Sequence, residues 1–166
     1  IREFFDKMGF DIIQTEGDWQ PGSFTHQHGY LQDMYKVFNH TKLQRAAPYT
    51  FWLEDDFPII VKNPTYKLND LFNIAINVLH QNPSIMTVRF FREGDGDATT
   101  PGIDLTEHLK IAMPVFHFNP NICKTSDLSS AINIIINNWK TFQNVHSEQS
   151  FTIASSMIKP PDFGSK

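Results

Sequence analysis

The chain has 166 residues, of which 40% are hydrophobic and 19% are charged, so it can form one domain with a hydrophobic core and is not a disordered chain. Its formal net charge is -4 and it has no run of Lys and Arg, which argues against binding to nucleic acid through the phosphate backbone. No apolar run reaches the roughly 18–20 residues that a membrane-spanning helix needs.

The first third of the chain predicts two helices and two strands. Residues 2–9 have the pattern of a helix end, and residues 10–18 predict a short apolar strand that runs into a polar turn. Residues 23–40 predict a loop followed by a helix, and Tyr49–Leu53 predict a strand. Because Ile1 is not an initiator Met and the chain opens within a helical pattern, we expect the natural protein to begin earlier.

The rest of the chain alternates between apolar strands and longer helical patterns. In chain order it predicts a helix over 67–83, a strand over 84–91, a loop over 92–104, a strand over 114–119, and helices over 127–142 and 147–158. The helix over 67–83 has the clearest pattern, since its apolar residues recur at the helical period and Pro83 ends it. Asp127 is the predicted N-cap of the next helix.

Strands that alternate with helices of this length are typical of βαβ units. The sequence therefore predicts an α/β fold in which a twisted, mainly parallel sheet is flanked by helices, with residues 1–166 forming a single domain. In open sheets of that kind, ligands bind outside the carboxyl ends of the strands. Side chains that follow a strand directly are accordingly the first candidates for a site.

Three adjacent acids, Glu54, Asp55 and Asp56, follow the predicted strand Tyr49–Leu53. The alternation of a strand puts Glu54 and Asp56 on one side and Asp55 on the other. Neighbouring carboxylates repel one another unless a cation or hydrogen bonds offset the repulsion, and Mg²⁺ and Mn²⁺ prefer such oxygen ligands. The segment predicts a divalent-metal site, although an exposed acidic turn has the same pattern.

The order of these motifs resembles glycosyltransferases of the GT-A fold, which is Rossmann-like. The resemblance rests on the sequence Trp-Leu-Glu-Asp-Asp at a strand end, a long helix after it, and the segment Val-Arg-Phe-Phe-Arg over 88–92. Residues 116–128 also resemble a later segment of one subgroup of these enzymes, which carries a Glu-Asp-Asp motif. In that segment a strand and an Asn-Pro turn precede a helix. The resemblance covers roughly residues 49–158, and the sequence is similar to bacterial and large-virus sugar transferases, including those of algal viruses. Because such folds begin with a strand and a turn that bind the base, the resemblance also implies that a first N-terminal strand is missing from this sequence.

The resemblance implies that the acids hold Mn²⁺ or Mg²⁺ against the diphosphate of a nucleotide-sugar, with a UDP-sugar as the expected donor. Asp56 is the predicted direct metal ligand, and Glu54 acts through water or on the donor sugar. Because the motif is Glu-Asp-Asp rather than Asp-x-Asp, Asp55 with Asp56 is the alternative working pair. His117 is a further predicted metal ligand, since some enzymes of this fold supply a late His.

Other candidate residues lie on later elements and near the N-terminus. Glu148 opens a predicted helix and is the expected general base for the acceptor hydroxyl, with Asp104 and Asp95 as alternatives. Arg89 and Arg92 are predicted to neutralise the leaving diphosphate, because Arg is suited to phosphate contacts. Glu16 and Asp18 follow the early strand, and the resemblance implies a contact with the ribose or base.

The expected function is metal-dependent transfer of a sugar from a nucleotide-sugar to a hydroxyl of a glycan or glycoprotein acceptor. The alternatives are a metal-dependent phosphohydrolase or nucleotidyltransferase that uses the same acids, and a binding module without catalysis. A single cysteine, Cys123, excludes an intramolecular disulfide and favours a reducing compartment. We therefore expect a cytoplasmic protein, located in the host cytoplasm if its source is viral.

Overall fold

The computed structural model describes residues 24–38, 47–53, 65–90, 102–112 and 120–158. The helices in these ranges are α1 (Phe24–Phe38), α2 (Leu68–Gln81), α3 (Thr125–Asn137), α4 (Trp139–Phe142) and α5 (Ser147–Ile158). The strands are β1 (Tyr49–Trp52), β2 (Thr87–Phe90), β3 (Gly102–Asp104), β4 (Leu109–Ala112) and β5 (Asn121–Lys124). Among the described helices, none is long and apolar enough to cross a membrane. The predicted elements over 2–9, 10–18 and 114–119 lie outside the described residues.

The five strands form one sheet in the order β1–β5–β2–β4–β3, and each described pairing is antiparallel. The prediction of a mainly parallel, GT-A-like sheet is therefore wrong. Parallel neighbours need a long crossover between them, whereas the turn over 105–108 joins β3 directly to β4 as a hairpin. In addition, β5 inserts between β1 and β2 and runs against both.

The helix α2 covers one face of the sheet, which we call the α2 face. Leu71, Ala75 and Leu79 recur every four residues along α2, and all three are fully buried against the sheet. This confirms the helix predicted over 67–83. At its start, the backbone N–H of Lys67 donates a hydrogen bond to the carboxylate of Asp70 at 3.0 Å, which satisfies a donor that the helix leaves unpaired.

An aromatic triad ties α2 to two strands of the α2 face. The ring of Phe72 on α2 contacts Phe51 of β1 edge-to-face at 4.9 Å and Phe90 of β2 at 5.7 Å. Phe51 and Phe90 also contact each other across β5, at 5.8 Å. Each such pair contributes about 0.5–1.5 kcal/mol beyond the burial of its surface. The triad therefore holds β1 and β2 together through side chains, in addition to the backbone pairing of each strand with β5.

The opposite face of the sheet carries the second hydrophobic cluster, built from α1, α3 and α5. Leu31, Met34 and Phe38 of α1 are buried in it, and the ring of Phe38 stacks on Trp52 of β1 at 6.4 Å. Cys123 of β5 belongs to the same cluster. The sheet is thus covered on both faces, with α2 on one side and the other long helices on the second.

The helix α3 begins directly where β5 ends. The backbone N–H of Thr125 donates to the carbonyl oxygen of Pro48, and the hydroxyls of Thr50 and Thr125 are hydrogen-bonded at 2.9 Å. Lys124, with an extended backbone, is the N-cap of α3, so the prediction of Asp127 as N-cap is wrong. Asp127 lies in the first helical turn instead, where the helix dipole still favours a negative charge.

Gly102 lets β3 approach β4 closely, and we expect Gly102→Ala to destabilise the protein. A Cβ at this position would lie 2.2 Å from the backbone carbonyl oxygen of Ile111, so β3 would have to move away from β4. The expected loss is about 1–3 kcal/mol in the free energy of unfolding, measured by urea denaturation. Ile103→Ala on the same strand is the control, because Ile103 is largely exposed and its truncation should cost less than about 0.5 kcal/mol. Equal losses in the two variants would contradict the close-approach explanation.

Cys123 should be unreactive in the folded protein. Burial, followed by the charge of Asp127, raises the pKa of its thiol from 9.0 to about 12. Because the unfolded thiol ionises at the lower pKa, the stability that this group contributes is complete below pH 9.0 and is lost as the pH rises toward about 12. We expect a maleimide at pH 8 to label native protein only at the rate of unfolding, whereas protein in urea is labelled at once. Labelling of the native protein at the rate of the urea sample would contradict this prediction.

Candidate functional site

One row of paired residues crosses all five strands on the face opposite α2. The register places Trp52 beside Asn121, Asn121 beside Arg89, Arg89 beside Lys110, and Lys110 beside Asp104. Directly opposed residues of antiparallel strands project on the same face of a sheet, so these five positions share one face. We call its four polar members, Asn121, Arg89, Lys110 and Asp104, the polar row.

The polar row carries two buried cations. Arg89 is 4% exposed and Lys110 is 6% exposed, whereas neighbouring residues of the same strands on the α2 face are apolar. The Lys110 Nζ lies 3.5 Å from the carboxylate of Asp104, whose side chain is 69% exposed. Like charges on directly opposed positions of a sheet are destabilising, and burying them adds a desolvation cost. Arg89 and Lys110 are therefore two buried charges on one face of the sheet, which makes them candidates for function.

Asn121 is positioned by a hydrogen bond from Thr87, which lies on the same face of the sheet. The hydroxyl of Thr87 donates a hydrogen bond to Oδ1 of Asn121 at 3.2 Å, and both residues are buried. This bond fixes the plane of the Asn121 amide and turns its NH₂ end away from Thr87. Amide, guanidinium and ammonium groups all present N–H donors, so three neighbouring strands contribute donors to one row.

The carboxyl ends of β1 and β2 lie at the same end of the sheet. Both strands run against β5, which lies between them, so they run in the same direction. Two strand spacings of about 4.8 Å separate their backbones by about 10 Å. Glu54 follows Leu53 directly after β1, and Arg89 lies one residue before the end of β2. Leu53, the last described residue before the acidic segment, therefore lies at the end of the sheet nearest Arg89.

Most of the predicted site residues lie outside the described residues. These are Glu16, Asp18, Glu54, Asp55, Asp56, Arg92, Asp95 and His117. Their predicted roles as metal, nucleotide and diphosphate contacts stay predictions. Within the part of the chain that is described, no group of three or more His, Cys, Asp and Glu side chains could hold a metal ion.

The structure describes three of the predicted site residues. Arg89 and Asp104 share the polar row, joined through Lys110. Asp104 was predicted in a loop but lies on β3, four strand spacings of about 4.8 Å from β1, or about 19 Å across the sheet. It can therefore serve as an acceptor base only for an acceptor that lies over β3. Glu148 lies in the first turn of α5, a helix that packs mainly on α3, and its role as a base stays a prediction.

Sequence reasoning missed Lys110, Asn121 and Thr87. The alternation Leu109–Lys110–Ile111 was the available signal, since a polar residue between two apolar ones is typical of a half-buried strand. It covers only three residues, between the loop predicted over 92–104 and the strand predicted over 114–119, which is too short to predict a strand by itself. Asn121 carried no such signal, because its role depends on the pairing of β5 with β2.

No family model, no curated protein and no solved structure matches the chain. The resemblance to sugar transferases therefore rests on the short motifs alone.

The hydrogen bond between Thr87 and Asn121 should contribute measurably to stability. Thr87→Val keeps the shape of the side chain but removes the donor to the buried Oδ1 of Asn121. Loss of one buried hydrogen bond costs about 0.5–1.5 kcal/mol, and we expect a loss of that size in the free energy of unfolding. Thr50→Val is the matched control, because the Thr50 hydroxyl bonds Thr125 at a partly exposed position and its removal should cost less. A larger loss in the control would contradict the prediction.

Proposed function

We propose that the protein is a metal-dependent transferase that moves a sugar from a nucleotide-sugar to an acceptor hydroxyl. The observation that carries the proposal is the position of buried Arg89, which lies level with Trp52 at the end of β1. In the sequence, Glu54 follows β1 two residues after Trp52. Arg89 on β2 can bind phosphate, and the acidic segment that follows β1 in the sequence can bind a metal ion. Together they suit a ligand that carries phosphates and a bound metal ion.

The proposal does not need a parallel sheet. The strands β1 and β2 run in the same direction, because both are antiparallel to β5. The carboxyl ends of β1 and β2 therefore lie at the same end of the sheet. Carboxylate oxygens fit Mn²⁺ or Mg²⁺ by their chemistry, and Asp56 with Glu54 or Asp55 would hold the ion.

The residues of this chain would divide the reaction between them. A bound divalent ion would supply stabilisation of the negative charge on the diphosphate. Arg89 would neutralise part of the same charge through its N–H donors. The acceptor oxygen attacks the anomeric carbon, the bond from that carbon to the diphosphate oxygen breaks with its electron pair, and the acceptor proton passes to a carboxylate. Glu148 is the proposed proton acceptor, and the expected donor is a UDP-sugar.

The first test is donor binding by Asp56→Ala. Calorimetry with a panel of nucleotide-sugars, with and without Mn²⁺, should show Mn²⁺-dependent binding to the natural sequence. We expect the affinity of Asp56→Ala to fall roughly tenfold or more, since even indirect partners of a metal ligand are worth about that much. Glu107→Ala is the control, because it also removes one carboxylate, lies in the turn between β3 and β4, and should leave donor affinity unchanged.

Two results would overturn the proposal. One is unchanged Mn²⁺-dependent donor affinity in Asp56→Ala, with circular dichroism showing an intact fold. The other is hydrolysis of the nucleotide in the absence of a sugar acceptor, with no transfer in its presence, which would assign the same acids to a phosphohydrolase. Absence of any stabilisation by Mn²⁺ in a melting assay would instead favour a binding module that needs no metal.

A further inference from the structure

The strand β3 forms one edge of the described sheet, and this edge is exposed to solvent. Gly102, Ile103 and Asp104 are all exposed, whereas β1 at the opposite edge is only partly exposed. Because Gly102 has no side chain, its exposed surface is backbone. An exposed edge strand presents backbone N–H and C=O groups with which a strand of another chain can pair.

The hydrogen bonds of the β3–β4 hairpin show which backbone groups of β3 point outward. The N–H of Leu105 donates to the carbonyl oxygen of Leu109 at 2.9 Å, and hydrogen-bonded pairs alternate with non-hydrogen-bonded pairs along antiparallel strands. Two residues further along, Ile103 is paired with Ile111, so the N–H and C=O groups of Ile103 point toward β4. The N–H and C=O groups of the residues on either side of Ile103 therefore point away from β4, toward the open edge.

The side chain of Ile103 ends an apolar row that crosses the α2 face. The register of the five strands runs through Phe51, Ile122, Val88, Ile111 and Ile103. The three central members of this row are buried, whereas Ile103 is 60% exposed. A further apolar side chain beside Ile103 would continue the row and remove this surface from water.

A second copy of the chain fits this edge, because the segment Gly102–Asp104 is complementary to itself. When two β3 strands pair antiparallel about a twofold axis at Ile103, Gly102 of each copy lies opposite Asp104 of the partner subunit. The outward-pointing N–H and C=O groups of these residues then bond to each other across the axis. Pairing of the two edges thus uses the backbone groups that β4 does not reach.

The side chains are compatible with the same arrangement. Each Asp104 faces the small Gly102 of the partner subunit, so no two carboxylates are directly opposed, and the Lys110 Nζ at 3.5 Å offsets the charge of Asp104. Ile103 lies beside Ile103 of the partner subunit in a non-hydrogen-bonded pair, in which side chains approach each other most closely. The apolar row therefore continues from one copy into the other.

We propose that β3 is a dimerisation edge, at which Gly102–Asp104 pairs antiparallel with the same strand of a second copy. The paired segments are short, so the interface is small and the dimer forms only at high protein concentration. At the low concentrations used for unfolding experiments the chain is monomeric. The inference does not depend on the proposed transferase activity, because β3 and β1 lie at opposite edges of the sheet.

Sedimentation equilibrium of the full chain tests the dimer. Between about 10 µM and about 1 mM, the mass of the natural sequence should rise from that of a monomer toward that of a dimer. Ile103→Lys should lower the association constant roughly tenfold or more, since like charges would then be directly opposed across the axis. Met157→Lys is the matched control, because it adds the same charge at another exposed apolar residue, on α5, and should leave the association unchanged.

Disulfide cross-linking tests the register. In a glutathione redox buffer, Ile103→Cys should form a disulfide-linked dimer, because directly opposed residues of this pair type have Cα atoms about 4.5 Å apart, within the range of a disulfide. Asp104→Cys is the control: the two substituted positions would be diagonal neighbours about 7–8 Å apart, too far for a disulfide, and the variant should stay largely monomeric on a non-reducing gel. The natural Cys123 is buried and does not compete.

Three results would overturn the proposal. A monomer at every concentration up to about 1 mM would exclude a second copy as the partner of β3. A dimer that Ile103→Lys does not weaken would belong to another surface. Equal cross-linking of Ile103→Cys and Asp104→Cys would indicate random collision rather than a fixed register. Both substituted positions are exposed, so the variants should fold, which circular dichroism checks, and none of these results bears on the Mn²⁺ experiment with Asp56→Ala.

Discussion

The antiparallel pairing of β5 with both β1 and β2 is the constraint on which the rest of the structure depends. This four-residue strand sets the register of two strands at once, through the pairs that Asn121 makes with Trp52 and with Arg89. It therefore decides which side chains of β1 and β2 share a face. It also makes β1 and β2 point the same way, so that the end of β1 and Arg89 lie at the same end of the sheet.

The two faces of the sheet differ in character: the α2 face is apolar, and the other face carries the buried polar and charged residues. The α2 face is apolar throughout its buried core and is held by the triad of Phe51, Phe72 and Phe90. The other face gives up part of its apolar surface to the polar row and is stabilised by α1, α3 and α5 at the β1 and β5 side. The hydrophobic burial on the α2 face contributes stability that helps to offset the cost of burying Arg89 and Lys110 on the other face.

The long helices and the strands β1 and β2 could be predicted from local patterns, because burial of one face imposes a period that a single segment displays. The helix α2 is the clearest case, with Leu71, Ala75 and Leu79 at a four-residue spacing. The strand order could not be predicted in this way. The short strand β3 is exposed along its length and lies in a segment rich in Gly, Asp and Thr, so neither hydrophobicity nor alternation marks it. The polar row depends on pairings between distant segments, and no local pattern contains that information.

The position of β5 in the chain also has a consequence for how the protein is made. Thr50 and Cys123 are in contact although 73 residues separate them in the sequence, and the hydroxyl bond between Thr50 and Thr125 spans 75 residues. During synthesis from the N-terminus, β1 and β2 exist long before the strand that joins them has left the ribosome. Until then β1 and β2 leave their backbone N–H and C=O groups unpaired with β5, and the rings of Phe51, Phe72 and Phe90 are incompletely covered. The nascent chain therefore passes through a stage that is vulnerable to aggregation. A chain that stops before residue 121 would remain at that stage, which makes the final quarter of the sequence decisive for the solubility of everything that precedes it.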